Sequence, residues 1–233
     1  MRLAIMQPYF LPYIGYWQLM AAVDTFVVYD NIKYTKKGWI NRNRMLLNGE
    51  AVTFSLPLAK DSDDLDVVQR RLADTFQRAK LLAQLEGAYR KAPHFAEVRP
   101  LLEQVVMHPQ DNLFDYLWHS IACVAKHLGL NTHLVRSSDI AIDHGLKAQD
   151  KVLALCRALQ ATTYVNAIGG LELYERPAFE AQGTRLQFIR STWAPYPQWP
   201  NQAHVPWLSV VDVLMFNPLS QVQAALSTDC EWL

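Results

Sequence analysis

Residues 1–44 read MRLAIMQPYF LPYIGYWQLM AAVDTFVVYD NIKYTKKGWI NRNR, and the order of signals in this stretch decides the fold class. Leu3 to Met6 is a short apolar run that suits a buried strand. Pro8 and Pro12 stop it. Ile14, Trp17, Leu19, Met20 and Val23 then recur at helical spacing, and Thr25 to Tyr29 is β-branched and aromatic, a second buried strand. Strand, helix and strand with no hairpin signal between them predict a right-handed parallel unit. In such sheets ligands sit beyond the carboxyl ends of the strands. The polar residues Gln7, Tyr9, Tyr13, Trp39, Asn41, Arg42 and Asn43, with Gly15, crowd those ends and mark the expected site.

Working outward, Ala51 to Leu58 reads as a third strand and Leu65 to Lys91 as a helix. A further helix is expected from Leu101 to Val106. Another runs from Leu113 to Leu128, capped by Asn112 and ended by Gly129. Residues 65–130 therefore form a helical insertion or subdomain within a single α/β domain spanning 1–233. The α/β alternation resumes with strands at His133–Arg136, Thr162–Val165 and Arg185–Ile189, separated by helices at Ala148–Gln160 and Leu171–Gln182. Helices around Val210–Phe216 and Ser220–Leu226 close the chain. The expected fold is α/β, a mostly parallel sheet flanked by helices, Rossmann-like with the nucleotidylyltransferase arrangement as one form of it.

Of the 233 residues, 51% are hydrophobic and 19% charged, enough for a substantial core. Lys plus Arg equals Asp plus Glu at 22 each, which argues against an extended nucleic-acid surface, because such binding needs a basic excess. No stretch reaches the length of a membrane span, and the apolar run at the N-terminus is too short for a signal peptide. Cys123, Cys156 and Cys230 are far apart and read as reduced thiols. A cytoplasmic location is the expectation. The histidines show no metal-ligand spacing, and the sequence leaves the cofactor unknown.

Four segments carry chemistry. The loop Pro12-Tyr13-Ile14-Gly15-Tyr16 resembles the His-x-Gly-His signature of nucleotidylyltransferases and class I synthetases, with tyrosines in place of both histidines. Tyrosine cannot carry the positive charge that meets a phosphate at a helix start, so the substitution argues against adenylyl transfer. Its plainer reading is a glycine that lets a helix pack closely. Residues 30–44 hold Lys33, Lys36, Lys37, Arg42 and Arg44 against the single acid Asp30. Arginine offers a fork and lysine a point charge for phosphate or carboxylate, Asn41 and Asn43 can read polar groups, and Trp39 can stack. The competing reading is a charged edge strand. Tyr164-Val165-Asn166-Ala167-Ile168-Gly169-Gly170 ends a strand and opens a helix with adjacent glycines that free backbone amides for an anion. Trp193, Tyr196, Trp199 and Trp207, with Gln198 and Gln202, either wall a sugar-sized pocket or wrap the core. Asp212 interrupts an apolar helix and needs a partner.

Taken together, Met6 to Tyr16, Asp24 to Asp30 and Trp39 to Asn43 resemble the WbqC-like family of bacterial proteins. Arg136-Ser137-Ser138-Asp139, Ala161 to Tyr164 with Gly169-Gly170, Tyr174, Tyr196-Pro197-Gln198 and Leu208 to Asp212 are similar to its later blocks. The chain departs at Asn166, where a serine is common, and near Asn217-Pro218, where a glycine is common. The resemblance implies work near surface-polysaccharide and O-antigen biosynthesis: a transferase on a nucleotide-linked amino sugar, with acyl or aminoacyl transfer as its chemistry. In that reading Lys33, Lys37 and Arg42 hold a diphosphate and Tyr13, Gly15 and Asn41 position the base or sugar. Asp30 is the first candidate general base. Two alternatives stay open: an ATP-dependent adenylyltransferase or ligase, and a non-catalytic scaffold.

Overall fold

The computed structural model describes residues 1–200 and 203–233. It contains an α/β fold built on a six-stranded sheet. In chain order, β1 is Arg2–Met6, α1 Ile14–Ala21 and β2 Thr25–Val28. A hairpin of β3 (Arg42–Leu47) and β4 (Glu50–Ser55) follows, then α2 (Arg78–Tyr89), α3 (Phe95–Val106) and α4 (Leu113–His127). The sheet resumes with β5 (His133–Arg136), α5 (Ala148–Ala158), β6 (Thr163–Ala167), α6 (Arg176–Glu180) and β7 (Arg185–Ser191). α7 (Val210–Phe216), α8 (Leu219–Thr228) and β8 (Cys230–Trp232) end the chain.

The strand order is β5-β2-β1-β6-β7-β8, parallel throughout except for β8, which runs antiparallel to β7. The chain moves from β1 to β2 to β5 on one side, then returns through α5 to β6 on the other side of β1. The order of strands therefore reverses between β1 and β6, the place where open sheets of this kind leave a crevice. Alternation along the strands feeds both faces. Leu3, Ile5 and Val27 pack with Val152, Leu155, Cys156 and Phe179 on the α5 side. Ala4, Phe26, Val28, Val165 and Ile189 face α1, α4, α7 and α8. The helices of residues 78–127 share this second cluster through Leu85, Tyr89, Leu102 and Tyr116, and so do Met45 and Phe54 of the hairpin.

Several sequence expectations need correction. Asn41 to Arg44, read as an anion-binding segment or a charged edge strand, enters an antiparallel hairpin whose Asn48-Gly49 turn has both residues at positive φ, 52° and 82°. That is the requirement of a tight two-residue turn, and the Asn-Gly pair signalled it. The strand expected at Ala51–Leu58 is β4, shifted to Glu50–Ser55. The helix expected at Leu65–Lys91 begins only at Arg78. Val68, Leu72 and Phe76 repeat every four residues, but the backbone between them is spent elsewhere. Leu72 N–H donates to Asp111, Ala73 N–H donates to Pro57, and Arg70 C=O accepts from Leu113. α3 starts six residues earlier than expected and carries Pro100 inside it. Leu171–Gln182 divides into a 3-10 segment, Ile168–Leu173, and α6, with Pro177 in its first turn. The Asn112 cap is present, its side chain accepting from Asp115 N–H, and Gly129 takes a φ of 73° after α4. β8 was not anticipated.

Candidate functional site

A cleft of about 870 Å3 opens where the strand order reverses. Its floor is the carboxyl end of β1 (Ile5, Met6, Gln7) and of β6 (Asn166, Ala167). One wall is the loop after β2 (Tyr29, Asn31, Ile32, Lys33). A second is the segment that opens α5 (His144 to Ala148, then Lys151), and a third is Gly169, Gly170, Leu173 and Tyr174. Lys33, Lys147 and Lys151 face Asp66 as the one acid of the lining, so the cleft has a cationic balance. The amides that open α5 add partial positive charge at the same wall.

A hydrogen-bond chain fixes the back of the cleft. Lys151 is 6% exposed, and its Nζ donates to Asn31 O at 2.9 Å and to Asn31 Oδ1 at 3.2 Å, with the Tyr29 ring 5.4 Å away. Burial pulls the Lys151 pKa down, while Asp66 and Asp30 oppose that fall. Asn31 Nδ2 donates to His144 Nδ1 at 2.8 Å. His144 Nε2 lies 3.0 Å from Ile140 O, so both ring nitrogens have partners and the ring is held in place.

Asp30 lies just behind this chain and is buried. Ser137 Oγ, at 2.7 Å, donates to its Oδ1, which also accepts from Ser138 N–H at 2.9 Å and Asn31 N–H at 3.0 Å. Its Oδ2 accepts from the Ser138 hydroxyl. Burial alone would raise the carboxyl pKa; the hydrogen bonds from Ser137 and Ser138 outweigh it and hold the carboxyl below its usual range. Both oxygens are engaged, and Asp30 is absent from the cleft lining. It braces the strand ends on which Asn31 stands.

The other expected residues divide among several places. Gln7, Tyr9, Lys33, Asn166, Gly169 and Gly170 line the cleft. Tyr9 also lines a second pocket of about 330 Å3, with Tyr13, Trp39, Asn43, Arg44 and Trp207. Gly15 has a packing reason: the Tyr13 ring occupies the space a Cβ would need. Gly170 is similarly crowded by the Asn166 amide, whereas Gly169 has open space before it. Asn41 bridges Tyr34 OH, from which it accepts at 2.7 Å, and Leu56 O, to which it donates at 2.8 Å. Arg42 donates to Gly38 O at 2.9 Å and to Lys37 O, and lies over the Trp39 ring. Lys37 lies outside both cavities at a φ of 67°. Asn43 is buried and clamps Phe10 O and Leu11 O. Tyr164 is buried and stacks on Phe179, centroids 5.4 Å apart. Gln198 donates to buried Asp212, which also accepts from Tyr89 and Tyr196, so the Tyr196–Gln198 part of the aromatic tail is tied to the core. Gln202 lies outside the described residues.

Sequence reasoning missed Asn31, His144, Lys147 and Lys151. Lys147 and Lys151 stand four apart at the start of a helix that was expected, which was the available signal. Among the described residues no group of three or more His, Cys, Asp or Glu side chains is arranged to hold a metal ion, and no helix is long and apolar enough to cross a membrane.

Comparison with known proteins places this geometry in a family. The chain is 28% identical over 223 residues to the uncharacterized protein Rv1507c of Mycobacterium tuberculosis, a match covering 93% of each chain. No solved structure matches. The model of the WbqC-like protein family matches residues 7–224, and the chain belongs to that family.

Proposed function

We propose that the protein is a transferase that binds a nucleotide-linked amino sugar in the cleft, with acyl or aminoacyl transfer to the sugar as its reaction. Membership in the WbqC-like family suggests a role in sugar or polysaccharide biosynthesis. The observation that carries the reading is the cationic cleft at the reversal of strand order. Phosphate oxygens would meet Lys147 and Lys151, the amides opening α5, and the open approach over Gly169. Asn166 supplies an amide group to the cleft lining beside the sugar. Asp30 acts as a positioning residue that holds Asn31 and the Ser137-Ser138 turn. The adenylyl alternative gains no support from Gly15, whose open side is filled by the chain's own Tyr13.

The test is equilibrium binding of UDP- and dTDP-linked amino sugars to the parent protein and to Lys151→Met. Binding by the parent and a loss of tenfold or more in the variant would support the reading, since a charge-assisted hydrogen bond contributes about 1.5–3 kcal/mol. Equal affinities in both proteins would overturn it.

A further inference from the structure

Tyr9 is a wall shared by the cleft and the smaller pocket, so the two cavities adjoin. The smaller one is walled largely by the aromatic rings of Tyr9, Tyr13, Trp39 and Trp207, with Pro12, Asn43 and Arg44 completing its lining. Trp207 is 64% exposed and Trp39 40% exposed, an uncommon placement for two indoles beside one cavity. The Tyr13 and Trp207 rings lie 5.8 Å apart, and the Arg44 guanidinium lies 5.4 Å from the Trp39 ring.

The backbone is held in this arrangement at a cost. Trp207 has a φ of 60°, a left-handed conformation that a bulky residue rarely adopts. Its carbonyl accepts from Arg44 Nη2 at 2.8 Å, and Arg44 O accepts from Ser209 N–H at 2.9 Å. Strain maintained by such ties, on an indole left in solvent, is a mark of a ligand contact rather than of core packing. A ligand here needs flat apolar faces and a few polar atoms on its edge. A sugar ring, with hydroxyls all round it, would leave most of them unpaired against these walls.

We infer that this pocket is a subsite for the planar base of a nucleotide, stacked on the exposed indoles of Trp39 and Trp207. The inference rests on the reading of the cleft as the site of the phosphates and sugar, to which it adds the base. Tyr9 would then stand where the base meets the ribose and diphosphate.

The experiment measures tryptophan emission and calorimetric binding with four probes: uridine, thymidine, adenosine and guanosine. A sugar 1-phosphate that lacks a base is the control. The parent is expected to show quenching by at least one nucleoside. Trp207→Ala should weaken that binding about tenfold, as expected for loss of one stacking partner, while Trp207→Phe retains most of it. The sugar 1-phosphate should bind Trp207→Ala as it binds the parent, yet bind Lys151→Met more weakly. If no nucleoside binds, or if Trp207→Ala and Trp39→Ala bind them as the parent does, the base subsite is wrong, whatever the sugar phosphate does. If nucleosides bind through Trp207 while the sugar 1-phosphate does not bind, the subsite stands and the cleft reading falls.

Discussion

Two basic segments of this chain have opposite fates. Residues 33–44 carry five cations within twelve positions, and most of those charges are consumed locally. Lys33 pairs with Asp64 and Lys36 with Asp63 on the surface. Arg42 donates to the carbonyls of Gly38 and Lys37, and Arg44 to that of Trp207. The second segment, 144–151, shows only His144, Lys147 and Lys151, and all three line the cleft. Charge concentrated along a chain attracts its own acids and carbonyls. The basic groups of 144–151 stand together where α5 opens, and there they line the crevice.

The sharpest way to break this comparison is to exchange the two segments' importance. Lys151→Met should weaken binding of an anionic sugar nucleotide by about ten- to a hundredfold, whereas Arg42→Ala should change it by no more than about threefold. Titration calorimetry on both variants decides, and the reverse order of effects would restore the hairpin as the phosphate site. pH sharpens the same point. Burial lowers the Lys151 pKa, so the folded protein releases this proton before the unfolded chain does. Affinity for the anion should therefore decline on the alkaline side, starting below the pH at which an ordinary lysine titrates. Over the same window the ligand-free fold should gain stability as pH rises, because the unfolded chain then holds more protons. Lys151→Met should lack both slopes.

Next in size, Asp30→Asn should cost about 1–3 kcal/mol at neutral pH, since an amide cannot accept all the donors that converge on the carboxylate. The folded carboxyl has a pKa below its ordinary value of 3.8. Its stabilisation is thus present above 3.8 and is lost as pH falls through the folded value, so parent and variant melting temperatures should converge in strong acid. An undiminished gap there would show that charge plays no part.

A pair of adjacent glycines gives a smaller contrast. Gly170→Ala drives a methyl into the Asn166 amide and should cost about 1–2 kcal/mol, with some loss of ligand affinity as Asn166 shifts. Gly169→Ala meets nothing within 4 Å and should leave the melting temperature unchanged to within roughly 0.5 kcal/mol. Chemical denaturation of both variants tests the pair, and equal costs would mean the glycines serve backbone freedom instead.

Much of the site was legible as a place, less as a set of side chains. Gln7, Tyr9, Asn166, Gly169 and Gly170, which line the cleft, were singled out because strand ends followed by prolines or glycines are visible in one dimension. Asn41 and Arg42 line neither cavity, and an Asn-Arg-Asn-Arg run looks the same whether it faces a ligand or its own hairpin. The Asn-Gly turn at 48–49 was the signal that separates those cases.

By itself, then, the sequence determined the class of fold. Apolar runs of four or five residues alternating with periodic helices can bury themselves only as a largely parallel sheet covered on both faces, and that pattern is local. It also determined Asn112 as a cap and Gly129 as a stop, since both act through backbone groups one to three residues away. Tertiary structure alone decided the strand order, and with it where the crevice lies. Pairing β1 with β6 joins residues about 160 positions apart, beyond the reach of any local propensity. It decided too that Lys151 meets Asn31 across 120 residues, and that Asp30 spends its oxygens on Ser137 and Ser138. Those contacts depend on which faces of the sheet the helices cover, a property of packing in three dimensions.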